Sequence, residues 1–296
     1  MSNSLRPTKF EDIIGQEKAV KNLSVMVAGC SDGSQVMPHV LIDGPPGLGK
    51  TTISSAIANE LGVNLYTVNA ANIRAPKNIM PYLMGIEARS VLFIDEIHRL
   101  PKLVEEFLYP VMEDFRIDML IENRPESIDI PVFTLVGATT SGGSLSQPFY
   151  DRFTIKEHLN FYSPDVLAKL ARSSADKLDI NITDEQLLQI AERSKGTPRI
   201  LNARLQWYKN YISCYPQETE VDTVFEAQGI DCHGFDSNDS KYIQVLKEHR
   251  GSPLGLKGLS TLTGIAMETI ENSVEPYMIR MGYVYRTPKG RVLGKL

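Results

Sequence analysis

The chain has 296 residues, of which 42% are apolar and 23% charged, the composition of an ordinary soluble globular protein with room for two or three domains. No apolar run reaches the roughly 18 residues of a membrane span, and the N-terminal MSNSLRPTKFEDIIG has no apolar core of a signal peptide. Cys30, Cys214 and Cys232 are scattered without metal-ligand spacing, as are the five histidines, so a reduced, cytoplasmic setting is the simplest reading.

The net charge of −5 argues against wholesale nucleic-acid binding, but the charge is unevenly placed. Residues 241–296 hold nine Lys or Arg and four Glu, a balance of +5 that leaves −10 on the rest. From Arg280 onward there are five basic residues and no acid. A basic end on an acidic body suits a local polyanion contact, or else is a solvated tail.

In chain order, HVLID (39–43) is an apolar, β-branched run followed by GPPGLGKTT (44–52) and then by the helical spacing of ISSAIANELG. Gly44 to Thr51 fits G-x-x-x-x-G-K-S/T. Its glycines, Gly47 and Gly49 among them, let backbone N–H groups close on phosphate oxygens at a helix N-terminus. Lys50 would then reach the β- and γ-phosphates, and Thr51 would hold Mg²⁺. NLYTVN, SVLFID and FTLVGA are further strand-like runs, spaced widely enough for crossover helices, which predicts an α/β fold with a parallel sheet.

VLFIDE (91–96) ends a buried strand in two acids, where ligands of parallel sheets collect. Asp95 would support Mg²⁺ and Glu96 would polarise the attacking water. Alternatively, both acids cap the next helix, whose Leu100, Leu103, Val104, Phe107, Leu108, Val111 and Met112 share a face. His98 and Arg99 read as surface groups at that helix start. FTLVGATT (133–140) ends in hydroxyls, so Thr139 or Thr140 would sense the γ-phosphate or simply end the strand. Arg152 either pairs with Asp151 or enters a neighbouring subunit's site as an arginine finger.

From 163 to 215 the pattern is all-helical, with N-cap signals at Ser163-Pro164, at Thr183 with Gln186, and at Thr197-Pro198. Arg199 falls in a first helical turn, where a cation opposes the helix dipole by roughly 0.3–1 kcal/mol unless an anion is near, or where it is merely exposed. Residues 216–238 are polar and irregular. Helices follow at 239–249, 256–263 and 265–281, the last with Ile270, Val274, Tyr277, Met278 and Met281 on one face. YVYRT-PKG-RVL closes the chain as two strands around a turn, and helices before a basic hairpin make a winged-helix pattern. The expected domains are 1–162, 163–235 and 236–296.

Together these motifs resemble the AAA+ ATPases, and more closely the RuvB family of Holliday junction branch-migration motors. The matching runs are LRP (5–7), IIGQE (13–17), GPPGLGKTT, LFIDEIHRL (92–100), LYPVMEDF (108–115), TLVGATT (134–140), DRF (151–153), SKGTPRI (194–200), EPYMIRMGY (275–283) and RTPKGR (286–291). The resemblance implies an AAA+ P-loop core, a helical lid and a C-terminal winged helix. It implies hexameric rings on duplex DNA, translocation driven by ATP and Mg²⁺, and the partners RuvA and RuvC. It places Leu5, Arg6, Ile13 and Ile14 at the nucleotide, with Gly47, Gly49, Lys50, Thr51 and Thr52 on its phosphates. Glu113, Asp114 and Phe115 match the family's E-D-F tripeptide at the site. Thr140 matches sensor 1, Arg152 the arginine finger, Tyr162 a nucleotide contact, and Pro198-Arg199 the sensor 2 turn. Arg286 and Arg291 match wing arginines that touch DNA phosphate, with Lys289 between them.

The chain departs from the family in places. The insert 116–130, which docks on RuvA in the family, is short and polar at Glu122–Glu126, with Ile121 and Ile128 left to supply an apolar contact. SGG follows Thr140 where the family has an arginine, and position 289 is Lys, which keeps the charge without a bidentate fork. A replication initiator or clamp loader also joins such a core to a winged helix, but RTPKGR, EPYMIR and the insert favour RuvB. A protein unfoldase would want an aromatic-Gly pore loop, and none is convincingly placed.

Overall fold

The computed structural model describes residues 5–31, 33, 35–121, 124–140, 142–249 and 252–294, with the backbone alone for Leu120, Ile121 and Gly142. The chain divides into two compact units, Met1–Phe161 and Tyr162–Leu296.

In the first unit the predicted runs form strands β1 (Val40–Asp43), β2 (Leu65–Asn69) and β3 (Val91–Asp95). A hairpin of β4 (Arg116–Ile121) and β5 (Arg124–Asp129) precedes β6 (Thr134–Thr139). A further strand, β7 (Ile155–His158), was not expected. It is a four-residue edge strand with two charged positions, and its inward Glu157 accepts from Asn22 Nδ2 at 2.9 Å, so apolar patterning does not mark it. The sheet order is β2-β3-β6-β1-β7, all parallel. Helix α1 (Glu17–Cys30) precedes β1, and α2 (Lys50–Leu61), α3 (Pro76–Met84), α4 (Lys102–Glu113) and α5 (Gln147–Asp151) lie between strands.

Leu41, Leu92, Ile94 and Leu135 of the sheet pack with Val104 and Leu108 of α4 in one core. Leu103, expected on that helical face, is exposed, because the buried set 104, 108, 111 and 112 centres the apolar stripe away from it.

His39, just before β1, is locked in one tautomer. Its Nδ1 accepts from Leu135 N–H at 2.9 Å, so its Nε2 donates to the Met112 carbonyl at 3.0 Å. Burial lowers its pKa from 6.5, partly offset by the Met112 bond. Below about pH 6.5 the unfolded chain therefore takes up a proton that the folded chain resists. This group's stabilisation declines as pH falls, by up to about 1.4 kcal/mol per unit until the folded-state pKa is reached. Urea unfolding at pH 7.5 and 5.5 should show a smaller acid-side loss in His39→Gln than in the wild type, whatever the variant's own cost.

The second unit begins with α6 (Pro164–Leu178), α7 (Asp184–Glu192) and α8 (Pro198–Cys214), capped by Ser163, Thr183 and Thr197 as the sequence indicates. The stretch expected to be irregular contains α9 (Val221–Glu226), whose Val221, Val224 and Phe225 are fully buried. Its apolar positions are too few to show a period within a polar stretch. Next come α10 (Ser237–Glu248) and α11 (Leu256–Thr263).

The single helix expected at 265–281 is α12 (Met267–Thr269), a π turn at Ile270–Val274 and α13 (Glu275–Arg280). Pro276 lacks an N–H for the regular ladder, and the wide turn lies immediately before it, with Glu275 N–H donating to Ile270 O. The turn shifts the later residues around the axis. Ile270, Val274 and Met278 are buried as expected, but Met281 is exposed. Strands β8 (Val284–Thr287) and β9 (Gly290–Leu293) form the terminal hairpin, with Arg286 opposite Arg291. Among the described residues no helix is long and apolar enough to cross a membrane.

Candidate nucleotide and DNA sites

The Gly-rich loop joins β1 to α2 at the carboxyl edge of the sheet. Gly44 has φ 140°, and a Cβ there would stand 2.6 Å from the Leu159 carbonyl oxygen. Gly47 and Gly49 have φ 83° and 102°. The N-cap of α2 is Gly49, which offers no side chain to the helix's first N–H groups, and a helix N-terminus behind a Gly-rich loop is a ready anion site. Lys50 is buried and donates to the carbonyls of Gly44 at 2.6 Å and Pro45 at 3.0 Å. Thr51 and Thr52 occupy the same first turn.

Parallel pairing sets Asp95, at the end of β3, opposite Asn69 and places β3 beside β6. Asp95 Oδ1 accepts from Glu96 N–H at 3.0 Å. Glu96 has φ 51°, and its side chain makes no cap bond to the 3₁₀ turn Ile97–Arg99; α4 starts only at Lys102. The capping alternative for this pair of acids is therefore not what the fold uses. Thr140 Oγ1 donates to Glu96 Oε2 at 3.1 Å.

His98 corrects the sequence reading. It is not a surface group, since its Nδ1 lies 2.9 Å from Thr139 Oγ1 and 3.4 Å from Glu96 Oε2. Its place two residues after a strand-end acid was the available signal. Among the described residues no three His, Cys, Asp or Glu converge as a metal cage. Mg²⁺ fits this donor set only together with phosphate oxygens, its usual company.

Arg152 follows α5. Its guanidinium lies over the Tyr109 ring at 4.0 Å, donates to Pro148 O at 2.6 Å and meets Glu113 at 3.2 Å. Its Nε is buried without a hydrogen-bond partner among the described residues. The pairing with Asp151 is not formed, and Asp151 accepts from Gln147 at 2.7 Å instead. The E-D-F residues diverge. Glu113 meets Arg152, Asp114 meets Arg116 at 3.5 Å, and the half-buried Phe115 packs on His39 and Phe133.

Thr8 O accepts from Asn59 at 3.0 Å, and Phe10 N–H donates to Glu60 at 3.2 Å, so the segment after Leu5 and Arg6 runs along α2. Ile13 and Ile14 lead into Gln16, which exchanges two hydrogen bonds with the Asn160 backbone. The insert is a hairpin whose ladder runs to Ile121 opposite Arg124. Arg124, Pro125 and Glu126 belong to β5 rather than to a tip, and residues 122–123 lie outside those described.

In the second unit Tyr162 is buried, and its N–H donates to Gly196 O at 2.9 Å. Pro198 and the exposed Arg199 open α8, and Arg199 has no ion pair among the described residues. In the hairpin, Glu275 is 0% exposed and serves both arginines. Arg286 gives it two bonds, of 2.9 and 2.6 Å, Arg291 gives two, of 2.9 and 3.3 Å, and Tyr242 Oη donates at 2.8 Å. Arg291, with 14% of its side chain exposed, also meets Glu271 at 3.2 Å. Arg291 is thus a structural partner of Glu275 and Glu271. Half-exposed Arg286 and exposed Lys289 are the outward cations.

A five-stranded parallel sheet carrying a phosphate loop, a strand-end Asp-Glu pair and a following helical region is the frame of an AAA+ P-loop ATPase. Residues 5–159 match the profile of the Holliday junction DNA helicase RuvB P-loop domain. Residues 162–236 match the RuvB AAA lid domain, and residues 232–296 the RuvB C-terminal winged helix domain. The chain belongs to the RuvB family. It is 42% identical to the Holliday junction branch migration complex subunit RuvB of Campylobacter hominis over 99% of its own length and 88% of that relative. For the subunit of the same name from a Nitratiruptor strain the identity is 40%, over 98% and 89%. The solved Thermotoga maritima RuvB Holliday junction branch migration motor superposes with a TM-score of 0.89 at 37% identity, covering 99% of this chain and 96% of that one.

Proposed function

We propose that the chain is the ATP-driven, DNA-translocating ring subunit of a branch-migration motor for four-way junctions in recombination and repair. The observation that carries this reading is the match to three RuvB domain profiles, in order, along nearly the whole chain. Its working parts are an ATPase domain at 1–162, a lid at 163–235 and a winged helix at 236–296, in a cytoplasmic homo-hexamer.

Mg²⁺-ATP, when bound, supplies a reactive γ-phosphate and the free energy of its hydrolysis. The amides at Gly47 and Gly49, with Lys50 and Thr52, bind and orient the phosphates. Thr51 and Asp95 are the residues that would hold Mg²⁺. Glu96 takes the proton from the attacking water, and Thr140 fixes its carboxylate. Leu5, Arg6, Ile13 and Ile14 of the first unit, and Tyr162 of the second, are each assigned a nucleotide contact by the family resemblance. Arg199, with Pro198 setting its turn, is the residue assigned by the resemblance to sense the γ-phosphate. Arg152, oriented by Glu113, serves the adjoining subunit's site. The β4–β5 hairpin docks on RuvA, with the partly exposed Ile128 as an apolar contact, and RuvC acts on the same junction.

Arg286 and Lys289 contact duplex phosphates, and Arg291 holds the hairpin. Lys289→Ala should weaken duplex binding and reduce the slope of log affinity against log salt by about 0.9, the share of one phosphate contact. An unchanged slope in both Lys289→Ala and Arg286→Ala would remove the hairpin from the DNA interface.

A further inference from the structure

The segment Ser194–Arg199 holds Pro198 and Arg199, two of the residues assigned to the nucleotide, and its Gly196 carbonyl accepts the N–H of a third, Tyr162. The same segment turns a charged side chain the other way. Lys195 has φ 49°, a left-handed conformation that a lysine adopts only when its surroundings hold it. Its ammonium is bonded to Asp239 and lies 3.6 Å from Asp236. Lys195 and Asp239 are 9% and 2% exposed by side chain.

Asp236 and Asp239 start α10, the first helix of the winged-helix region. Asp236 Oδ1 accepts from the N–H groups of Asn238 and Asp239 at 2.8 and 3.1 Å, and Asp239 Oδ2 accepts from Asp236 N–H at 2.8 Å. The chain entering α10 lies directly on the lid. Gly234 has φ 78°, and a Cβ there would be 2.3 Å from the Arg193 carbonyl oxygen. Arg204 of α8, itself buried, donates to Gly234 O at 2.9 Å.

A buried ion pair rarely gives more stability than well-packed apolar groups of the same size, but it does fix direction and distance. From Asp239 the path continues along one rigid element. Tyr242 is one turn further on α10 and donates to Glu275, which holds Arg286 and Arg291 of the hairpin. The nucleotide-binding segment and the hairpin are thus tied to the two ends of a single short stretch of helix.

We infer that the Lys195–Asp239 pair is the joint through which the nucleotide-binding turn of the lid moves the winged helix. Lys195 is a positioning residue for coupling, touching neither nucleotide nor DNA. The inference rests on the motor reading above and adds the element that joins its two ends.

The test uses the full-length chain and three measurements: ATPase without DNA, duplex binding, and the stimulation of ATPase by duplex DNA. Lys195→Met is expected to leave the first two unchanged and to cut the stimulation about tenfold, within the usual range of inter-site coupling. Lys195→Arg, which keeps charge and reach, should restore most of it. Asp239→Asn, which keeps the acceptor for Asp236 N–H, gives a second route to the same loss should Lys195→Met melt near the assay temperature. Stimulation equal to wild type in Lys195→Met or Asp239→Asn would overturn the inference. So would a parallel fall of all three measurements with the melting temperature, the signature of a packing role alone. A wild-type ATPase indifferent to DNA would instead overturn the motor reading itself.

Discussion

Glu96→Gln is expected to bind ATP with wild-type affinity and to hydrolyse it about 10²–10⁴-fold more slowly, the usual worth of a positioned general base. The structure separates these two effects. Lys50 and the α2 N-terminus are assigned to binding, whereas the Glu96 carboxylate accepts from Thr140 and faces His98. Gln keeps the shape and an acceptor for Thr140 but cannot take a proton from water. Nucleotide binding followed by fluorescence, beside steady-state turnover, resolves the pair. Undiminished turnover would remove Glu96 from its role.

The second large effect concerns Arg152. Removing an arginine finger costs on the order of 10³–10⁵ in turnover, so Arg152→Ala should be almost inactive. Its guanidinium rests on Tyr109, Pro148 O and Glu113 within its own subunit, with Nε unpartnered among the described residues. Such a group is oriented by its own subunit, and only the exposed part of its side chain, 19%, faces outward for another molecule. If it acts across the interface, Lys50→Ala and Arg152→Ala should complement each other. A mixed ring has interfaces pairing an intact phosphate loop from one subunit with an intact finger from the next. Partial recovery of hydrolysis on mixing is the expected result. No recovery, with subunit exchange demonstrated independently, would place Arg152 in its own subunit's chemistry.

The parts legible in the sequence were those that local physics dictates. β1, the phosphate loop and α2 follow from an apolar run, glycines at positive φ and helical spacing. The strand-end acids follow from the burial of VLFI, and the caps of α6, α7 and α8 from Ser163, Thr183 and Thr197. What escaped depends on partners distant in sequence or on one backbone angle. The left-handed turn at Glu96 brings His98 back beside the carboxylate, and no side-chain pattern announces it. β7 was hidden because a short polar edge strand has no apolar period. The span 265–281 reads as one helix in sequence; the π turn, and with it the loss of Met281 from the buried face, needed the backbone.

The basic hairpin shows the same limit from the other side. Composition put charge at the C-terminus and family resemblance pointed to Arg286 and Arg291. Only the fold shows that both reach one buried carboxylate, leaving Lys289 as the outermost cation of the turn. The Lys195–Asp239 pair lay still further from view, because its partners are 44 residues apart.

The central claim is that hydrolysis at Glu96 moves duplex DNA through a junction. Its most direct test is branch migration of a synthetic four-way junction, with labelled arms, by the full-length chain with ATP and Mg²⁺, with and without RuvA. The account predicts strand exchange that requires ATP, that RuvA enhances, and that Glu96→Gln abolishes although the variant still binds ATP and the junction. ATP hydrolysis by the wild type with no junction movement, even with RuvA bound, or migration that survives Glu96→Gln, would contradict it.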